Sequence, residues 1–169
     1  GIDASEGLGL LKTVISASTL GESDMKTAAE DVVGVLEVFN MHSKDPDVLA
    51  ANFKKAGDIM AYVSQETKAN LHDVATSFQA ATGIAEQYGV SIEFAAGVMT
   101  SLGKQGIVAS KAGTFTRNFI EEMYQPKSGK AEKALKDLGV SAYNKDGSAR
   151  KELEVTLDLV KKLEKYNAS

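Results

Sequence analysis

The chain contains no cysteine and no tryptophan, and only two of its 169 residues are proline. Without cysteine there is no disulfide framework and no thiolate metal site, while the cellular compartment stays open. A β-rich fold needs frequent turn signals, and this chain has few of them. No apolar run approaches the roughly 18 residues that span a bilayer, so we expect neither a membrane segment nor a signal peptide in it.

The charges are unevenly distributed along the chain. Residues 1–125 hold nine Lys and Arg against sixteen Asp and Glu, and residues 126–169 hold ten against seven, so the net charges are −7 and +3. The basic residues of the second part alternate with carboxylates, and we therefore expect a solvated helix surface there and no specific nucleic-acid site. Hydrophobic residues make up 43% of the chain, which is enough for a core and excludes global disorder.

Apolar residues recur at helical spacing in eight segments. Several segments open on residues that cap helices, namely Ser23 or Asp24, Asp45 followed by Pro46, and Asn70. The predicted helices cover about residues 7–19, 24–40, 46–65, 71–88, 92–102, 110–124, 130–138 and 151–166. The sequence predicts an all-α fold, a compact bundle of seven or eight short helices arranged as helical hairpins. We expect one domain over 1–169, with helical hairpins in 1–125 and a helix, a hairpin and a further helix in 126–169.

Each of the first five predicted helices has an apolar face to bury. The residues expected on these faces are Leu8, Leu11, Val14 and Ile15; Met25, Ala28, Ala29, Val32, Val33 and Leu36; Leu49, Phe53, Ala56, Ile59, Met60 and Val63; Leu71, Val74, Ala75, Phe78 and Ala81; and Ile92, Ala95, Ala96, Met99 and Leu102. Three helices open alike at Met25, Leu71 and Ile92, with small or aliphatic residues three and four positions later. The spacings of 46 and 21 residues are unequal, so generic helix patterning and a weak repeat both stay open.

The helical pattern is interrupted between residues 139 and 150. Gly139 suits the left-handed conformation that ends a helix, with Val140 folding back on the last turn. Asp146-Gly147 is a strong signal for a two-residue hairpin turn, and Tyr143 is the expected apolar contact that fixes the hairpin to the helices. The predicted hairpin would let the next helix start at a defined angle.

Searches for chemical motifs find no catalytic, cofactor-binding or metal site. The stretch Asn144 to Gly147 resembles the middle of a calcium-binding loop, but the first and last ligand positions would be Ala142 and Leu153, which cannot bind calcium through their side chains. His42 and His72 are thirty residues apart and are expected at the surface or at helix ends. There is no phosphate loop, nucleophile elbow or HExxH, and Gly7-Leu8-Gly9 lacks a preceding strand. From its residues alone, the chain is a helical interaction or structural domain.

Three stretches, in order, resemble the core region of phage tail tape measure proteins. The first is Ala81–Ile107, with a Gly-Val-Ser turn before an Ala-Ala helix. The second is Ala109–Met123, and its matching residues are Ser110, Ala112, Gly113, Thr114, Arg117 and Asn118. The third contains Ala134-Leu135, Leu138-Gly139-Val140 and Tyr143 to Gly147. The resemblance covers about Ala81–Leu163. The chain departs from the family pattern at Asn144, at Lys151-Glu152 and at Gly103-Lys104-Gln105, which affects turn detail.

The resemblance implies a structural role in tail assembly, tail length determination and genome ejection, without enzymatic activity. It implies tail tube protein, tail assembly chaperones and tail tip or baseplate proteins as partners, with possible self-association. The expected location is the tail lumen of the virion, and the host cytoplasm during assembly. No cofactor is implied. Because the chain begins Gly1-Ile2, we expect a fragment of a longer protein.

Two other hypotheses stay open. One is a bacterial all-helical adaptor domain unrelated to phage, which the neighbouring genes would distinguish. The other is a helical cell-wall hydrolase whose acidic groups lie among ordinary surface carboxylates, which a peptidoglycan assay would detect.

Overall fold

The structure, a computed structural model, describes residue 19 and residues 24–167, and these contain eight helices and no strand. The helices are α1 (Met25–Val38), α2 (Pro46–Thr67), α3 (Leu71–Ala80), α4 (Ile84–Tyr88), α5 (Ile92–Gly103), α6 (Ala109–Tyr124), α7 (Gly129–Leu138) and α8 (Glu152–Asn167). The predicted all-α fold is confirmed. The first predicted helix, residues 7–19, lies outside the described residues apart from Thr19.

Short polar side chains begin the helices where the sequence places them. Asp24 caps α1 by accepting hydrogen bonds from the backbone N–H groups of Lys26 and Thr27. Asp45 and Asn70 cap α2 and α3 in the same way, with Pro46 as the first residue of α2. These side chains satisfy N–H groups that have no partner inside the helix, so each cap defines where its helix starts.

The helix predicted over residues 71–88 is in fact two helices, which is a correction. α3 ends at Ala80, and α4 begins at Ile84 after Gly83, whose φ is +88°. This conformation is accessible to glycine and strained for other residues, so Gly83 ends one helix and redirects the next. The apolar spacing continues across the break, which is why the periodicity predicted a single helix.

The chain divides into two compact units, Gly1–Thr116 and Arg117–Ser169, with the boundary inside α6. In the first unit α1 packs against α2 and α3, and α2 also packs against α3 and α5. Its buried hydrophobic cluster consists of Ala28, Val32, Val35, Leu36, Ala56, Met60, Val63, Leu71, Val74, Ala75, Phe78, Ala81, Ile92, Ala95, Ala96, Met99 and Ala112. Most of the residues predicted to face inward on these helices are therefore buried.

Two residues predicted on the inward face of α1 lie outside it. The side chains of Met25 and Val33 are exposed, whereas Asp31 and Val35 are buried. The face turned toward α3 is therefore rotated from the predicted one. The burial of Asp31 is compensated by a contact at 3.1 Å between its carboxylate Oδ1 and Nδ1 of His72.

The first half of α6 approaches α3 closely at Gly113. A Cβ atom at this position would lie 2.0 Å from the backbone oxygen of Ser77, so only glycine fits. The Ser77 hydroxyl fixes the same contact by donating to the carbonyl oxygen of Ala109 at 2.7 Å. Gly113 belongs to the stretch that resembles tape measure proteins, and the structure assigns it a packing role.

In the second unit α7 packs against α8, yet no residue of α7 is buried. Ser128 caps α7, and Gly139 ends it in the predicted left-handed conformation, with φ of +65°. The N–H group of Val140 donates to the carbonyl oxygen of Leu135, which completes the predicted helix stop. Ile120, Met123, Tyr124, Val140, Ala142 and Val155 form the buried part of this unit.

Candidate interaction surface

The described residues contain no group of three or more His, Cys, Asp or Glu side chains that could hold a metal ion. His42 is exposed, and His72 lies in the first turn of α3 with a ring that is largely exposed. No helix within residues 24–167 is both long and apolar enough to cross a membrane.

An open cleft of about 700 Å³ lies in the first unit between the end of α2, the start of α3 and the loop after α5. Three of the polar side chains lining it form hydrogen bonds within the fold. Ser64 donates to the carbonyl oxygen of Ala69, Asn70 accepts from the N–H group of Asp73 as a helix cap, and the Asp73 carboxylate accepts from the Asn70 amide. The cleft is therefore built from helix-end hydrogen bonds and lacks an assembled catalytic group.

The most distinctive surface of the second unit is on α8. Leu153, Leu157 and Val160 are 57%, 49% and 44% exposed, and we call these three residues the apolar stripe. At 3.6 residues per turn they fall on one face of the helix, whereas Val155, which is fully buried, falls on the opposite face. Helix α8 is therefore apolar on two faces, and the described residues bury Val155 on one of them while leaving the other about half exposed.

A hydrogen-bonded junction fixes the hairpin to α8. The Arg150 guanidinium Nη1 donates to the backbone oxygen of Ser141 at 2.6 Å and to Oδ2 of Asp158 at 3.2 Å. Asp158 is on α8, so Arg150 connects the hairpin to that helix directly. These charge-assisted bonds orient α8 and thus determine where the apolar stripe points.

Tyr124 at the end of α6 completes this junction. Its side chain is 2% exposed, and its hydroxyl donates to the backbone oxygen of Arg150 at 2.6 Å. Burial raises the pKa of the Tyr124 hydroxyl to about 12, and the nearby Glu152 carboxylate adds to the rise. The ring of Tyr143 meets the Tyr124 ring edge-on, with centroids 6.2 Å apart, as expected for the residue predicted to fix the hairpin.

The hairpin itself is confirmed, but its turn differs from the prediction. Tyr143 and Ala149 form an isolated antiparallel bridge, and the N–H group of Asn144 donates to the carbonyl oxygen of Ser148. Three residues, 145–147, therefore connect the two arms instead of two. Gly147 has the predicted positive φ, at +85°, while Asp146 does not share it. This is a tight turn followed by a left-handed glycine, the usual form of a three-residue hairpin.

The Asp146 carboxylate stabilises the hairpin turn through hydrogen bonds. It accepts hydrogen bonds from the N–H group and the hydroxyl of Ser148, and these bonds lower the pKa of Asp146. A role inside the turn accounts for the acidic residue that made this stretch resemble a calcium-binding loop.

Charged residues accompany the apolar stripe along one side. Glu154 and Lys161 are exposed and lie on the same flank, and Glu164 continues the line of the stripe after Val160. Sequence reasoning assigned residues 151–166 to a helix without separating its faces. The sequence nevertheless indicates a second apolar face, because the apolar residues 153, 157 and 160 are spaced four and three positions apart. Val155 and Leu159 fall on a different side of the helix.

A sequence profile of the family described as phage-related minor tail protein matches residues 1–169 of this chain. The chain belongs to this family, and is thus a structural component of a phage tail. Among named relatives it is similar to the tape measure protein of Pneumococcus phage Dp-1, with 23% identity over 148 residues, 88% of this chain and 12% of that protein. It is also similar to the probable tape measure protein of Escherichia phage P2, with 33% identity over 94 residues, 56% of this chain and 11% of that protein.

These relatives confirm the resemblance to tape measure proteins that the motifs indicated. The chain spans only about a ninth of the length of either relative. No solved structure matches it significantly.

Proposed function

We propose that this chain is a helical domain of a longer tape measure protein, and that the full-length protein acts in tail assembly, tail length determination and genome ejection. The observation that carries the proposal is the family match over all 169 residues, together with the names of the two relatives. On this proposal the domain lies in the tail lumen of the virion, after assembly in the host cytoplasm. Its partners are tail tube subunits, tail assembly chaperones and tail tip or baseplate proteins.

Within such a protein, we propose that this domain is not the part that measures length. A chain of 169 residues in one continuous helix would extend for about 250 Å. The longest helix of the described residues, α2, has 22 residues and would extend for about 33 Å. The helices begin at caps and bury wide faces against one another, which supports folded helices in place of an extended rod.

An in-frame deletion of residues 24–167 from a phage that carries this gene would test the proposal. As an extended helix this segment would contribute roughly 220 Å to the tail, so its loss would shorten the tail by that amount. We expect electron micrographs to show a much smaller change in tail length, together with fewer complete tails or fewer productive infections. A deletion of equal length in a predicted continuous helix of the same protein is the control, and it should shorten the tail fully.

Two results would contradict this assignment. Shortening by the full helical length would mean that the segment acts as an extended ruler, and an unchanged titre would remove its role in assembly and ejection.

We further propose that the domain has no enzymatic activity of its own. The purified chain should leave peptidoglycan intact in a turbidity assay, with lysozyme as the positive control. Clear hydrolysis would support the alternative of a cell-wall hydrolase.

A further inference from the structure

The first unit contains two pairs of helices that are built alike. Helices α1 and α3 begin at residues 25 and 71, and α2 and α5 begin at residues 46 and 92, so each helix of the first pair has a counterpart 46 residues later. Each of the four follows a short polar cap, namely Asp24, Asn70, Asp45 and Ser91. The spacings of 46 and 21 residues between the three similar helix openings are therefore the length of one copy and the distance between its two helices.

Burial follows the same offset of 46 residues. The equivalent pairs that are buried in both copies include Asp31 and Ser77, Val32 and Phe78, and Gly57 and Gly103. The two copies therefore turn equivalent sides toward the core. The pattern ends with the second copy, because 46 residues beyond Leu71 lies Arg117, in the middle of α6, where the first unit also ends.

Helices α2 and α5 lie side by side and run in the same direction. Lys55 of α2 pairs with Glu93 of α5 at 2.5 Å, near one end of the contact. At the other end, Glu66 of α2 pairs at 2.6 Å with Lys104, the residue directly after α5. The contact thus advances by the same eleven residues along both segments, as it does when two equivalent helices are stacked in parallel.

Helices α1 and α3 are arranged in the same way. Asp31 contacts His72 at 3.1 Å. Further along both segments, the ring of Phe39, directly after α1, meets the Phe78 ring edge-on, with centroids 5.6 Å apart. Both helices of the first copy therefore pack on their counterparts in the second. In such a stack each copy presents one side to the copy before it and the other side to the copy after it.

The sequence before Asp24 has the pattern of the second helix of a further copy. The buried residues of α2 are Ala56, Gly57, Met60, Val63 and Ser64, and the residues 46 positions earlier are Leu10, Leu11, Val14, Ala17 and Ser18. Thr19 is helical and exposed, as is Gln65 at the equivalent position of α2. The segment is followed by the cap Asp24, as α2 is followed by the cap Asn70.

We propose that residues 24–69 and 70–115 are two stacked copies of one helical repeat, and that residues 7–19 are the second helix of a preceding copy. This segment packs against α2 as α2 packs against α5. Only residues 20–24 connect it to α1, and a connection this short is typical of two packed helices and keeps the segment next to the first unit. The repeat does not depend on a role of the protein in a tail.

The repeat also identifies the surface that this segment covers. A Cβ atom at Gly103 would lie 2.2 Å from Cγ2 of Thr67, so α2 and α5 are in close contact there. Gly57 is the counterpart of Gly103, and Gly21 is the counterpart of Thr67. We therefore expect Gly21 to lie against Gly57, on the side of α2 opposite Lys55, which faces α5.

Cysteine cross-linking tests this contact, because the chain contains no cysteine of its own. Thr67→Cys with Gly103→Cys is the reference pair, since these two positions are in contact between α2 and α5. Gly21→Cys with Gly57→Cys is the equivalent pair. Under mild oxidation we expect it to form an intramolecular disulfide to a similar extent, because the bond requires the two Cβ atoms to be close. Mass spectrometry and non-reducing electrophoresis measure the product.

Gly21→Cys with Lys55→Cys is the matched control. Lys55 is separated from Gly21 by a similar length of chain but lies on the other side of α2, so we expect the cross-link to be lost. Equal cross-linking at positions 55 and 57 would mean that the segment is loose. That result would overturn the proposal, as would covalent dimers in place of the intramolecular bond, or no bond at position 57 while the reference pair forms one.

A second measurement leaves α2 unchanged. Val14 is the counterpart of Met60, which is fully buried, whereas Thr19 is exposed. Val14→Glu should therefore lower the urea midpoint of the 169-residue chain, followed by circular dichroism, while Thr19→Glu should leave it close to that of the wild type. If both variants unfolded at the wild-type midpoint, the segment would not be packed on the first unit, and the proposal would be wrong.

Discussion

The two units of this chain are stabilised by different means. In the first unit, the fully buried side chains include Phe78, Leu36, Met60 and Leu71, which belong to one hydrophobic cluster shared by α1, α2 and α3. In the second unit, α7 has no buried residue, and the buried apolar set is small. There the position of α8 depends on hydrogen bonds from Tyr124 and Arg150.

The first unit is built around a shared buried core, whereas the second unit positions a helix with an exposed apolar face. The hydrophobic cluster of the first unit is shared by several helices, although Met25, Val33, Val48, Tyr62 and Phe115 remain exposed. The second unit uses directional bonds to hold a helix whose stripe faces outward, with Leu153 at 57% exposure. Val155 buries one face of α8, and the opposite face is about half exposed among the described residues. Mutations should therefore destabilise the first unit through packing and the second through the turn and its hydrogen bonds.

The largest effect is expected at the close approach of α6 to α3 in the first unit. Gly113→Ala would place a methyl group 2.0 Å from the backbone oxygen of Ser77. Because backbone cannot rotate away as a side chain can, the helices must separate, and we expect a loss of about 3 kcal/mol in unfolding free energy. Urea denaturation followed by circular dichroism measures this loss.

Gly97→Ala is the control for this prediction. Gly97 lies within α5, and a Cβ atom there would have no atom within 4 Å. Alanine favours helix over glycine, so this variant should be more stable by about 0.5–1 kcal/mol. Equal stability of Gly113→Ala and the wild type would show that the two helices do not approach as closely as described.

An intermediate effect is expected at the hairpin of the second unit. Gly147 has φ of +85° in open surroundings, so a side chain there meets no obstacle but strains the backbone. Gly147→Val should cost about 2 kcal/mol, because a β-branched residue tolerates this conformation poorly. Gly147→Asn is the matched control and should cost less, since asparagine adopts positive φ more readily. Superimposable thermal melts of the valine variant and the wild type would contradict the turn geometry.

How far the sequence predicts this fold depends on the range of the interactions involved. Helix starts at Asp45 and Asn70 were predicted because a cap acts within three residues. The break at Gly83 was missed, since the apolar residues Phe78, Ala81 and Ile84 continue at helical spacing through it. Periodicity reports which side is apolar and does not report the backbone angle of a single glycine.

In the candidate interaction surface, too, only the short-range interactions could be predicted from the sequence. The hairpin and its glycine were predicted from Asp146-Gly147, which is a local signal. The bond from Tyr124 to the Arg150 carbonyl joins residues 26 positions apart, and no spacing rule indicates it. The outward direction of the apolar stripe follows from that junction. Sequence reasoning could therefore place α8 but could not determine which of its faces is covered.

The smallest effect is expected at the junction itself, and it depends on pH. Tyr124→Phe removes the hydroxyl that donates to the Arg150 carbonyl at 2.6 Å, and it should cost about 1 kcal/mol at neutral pH. The pKa of Tyr124 is raised from 10.0 to about 12, so the unfolded chain releases this proton more readily than the folded one. The stabilisation from the neutral hydroxyl is therefore complete below pH 10 and falls as the pH rises from 10 to about 12.

Urea denaturation at a series of pH values should show this alkaline loss in the wild type and a smaller loss in Tyr124→Phe. Tyr62→Phe, at a position 54% exposed, should keep both the neutral stability and the wild-type alkaline loss. If Tyr124→Phe and Tyr62→Phe gave the same curve, the hydroxyl of Tyr124 would have no part in holding the hairpin, and the second unit would depend on packing as the first does.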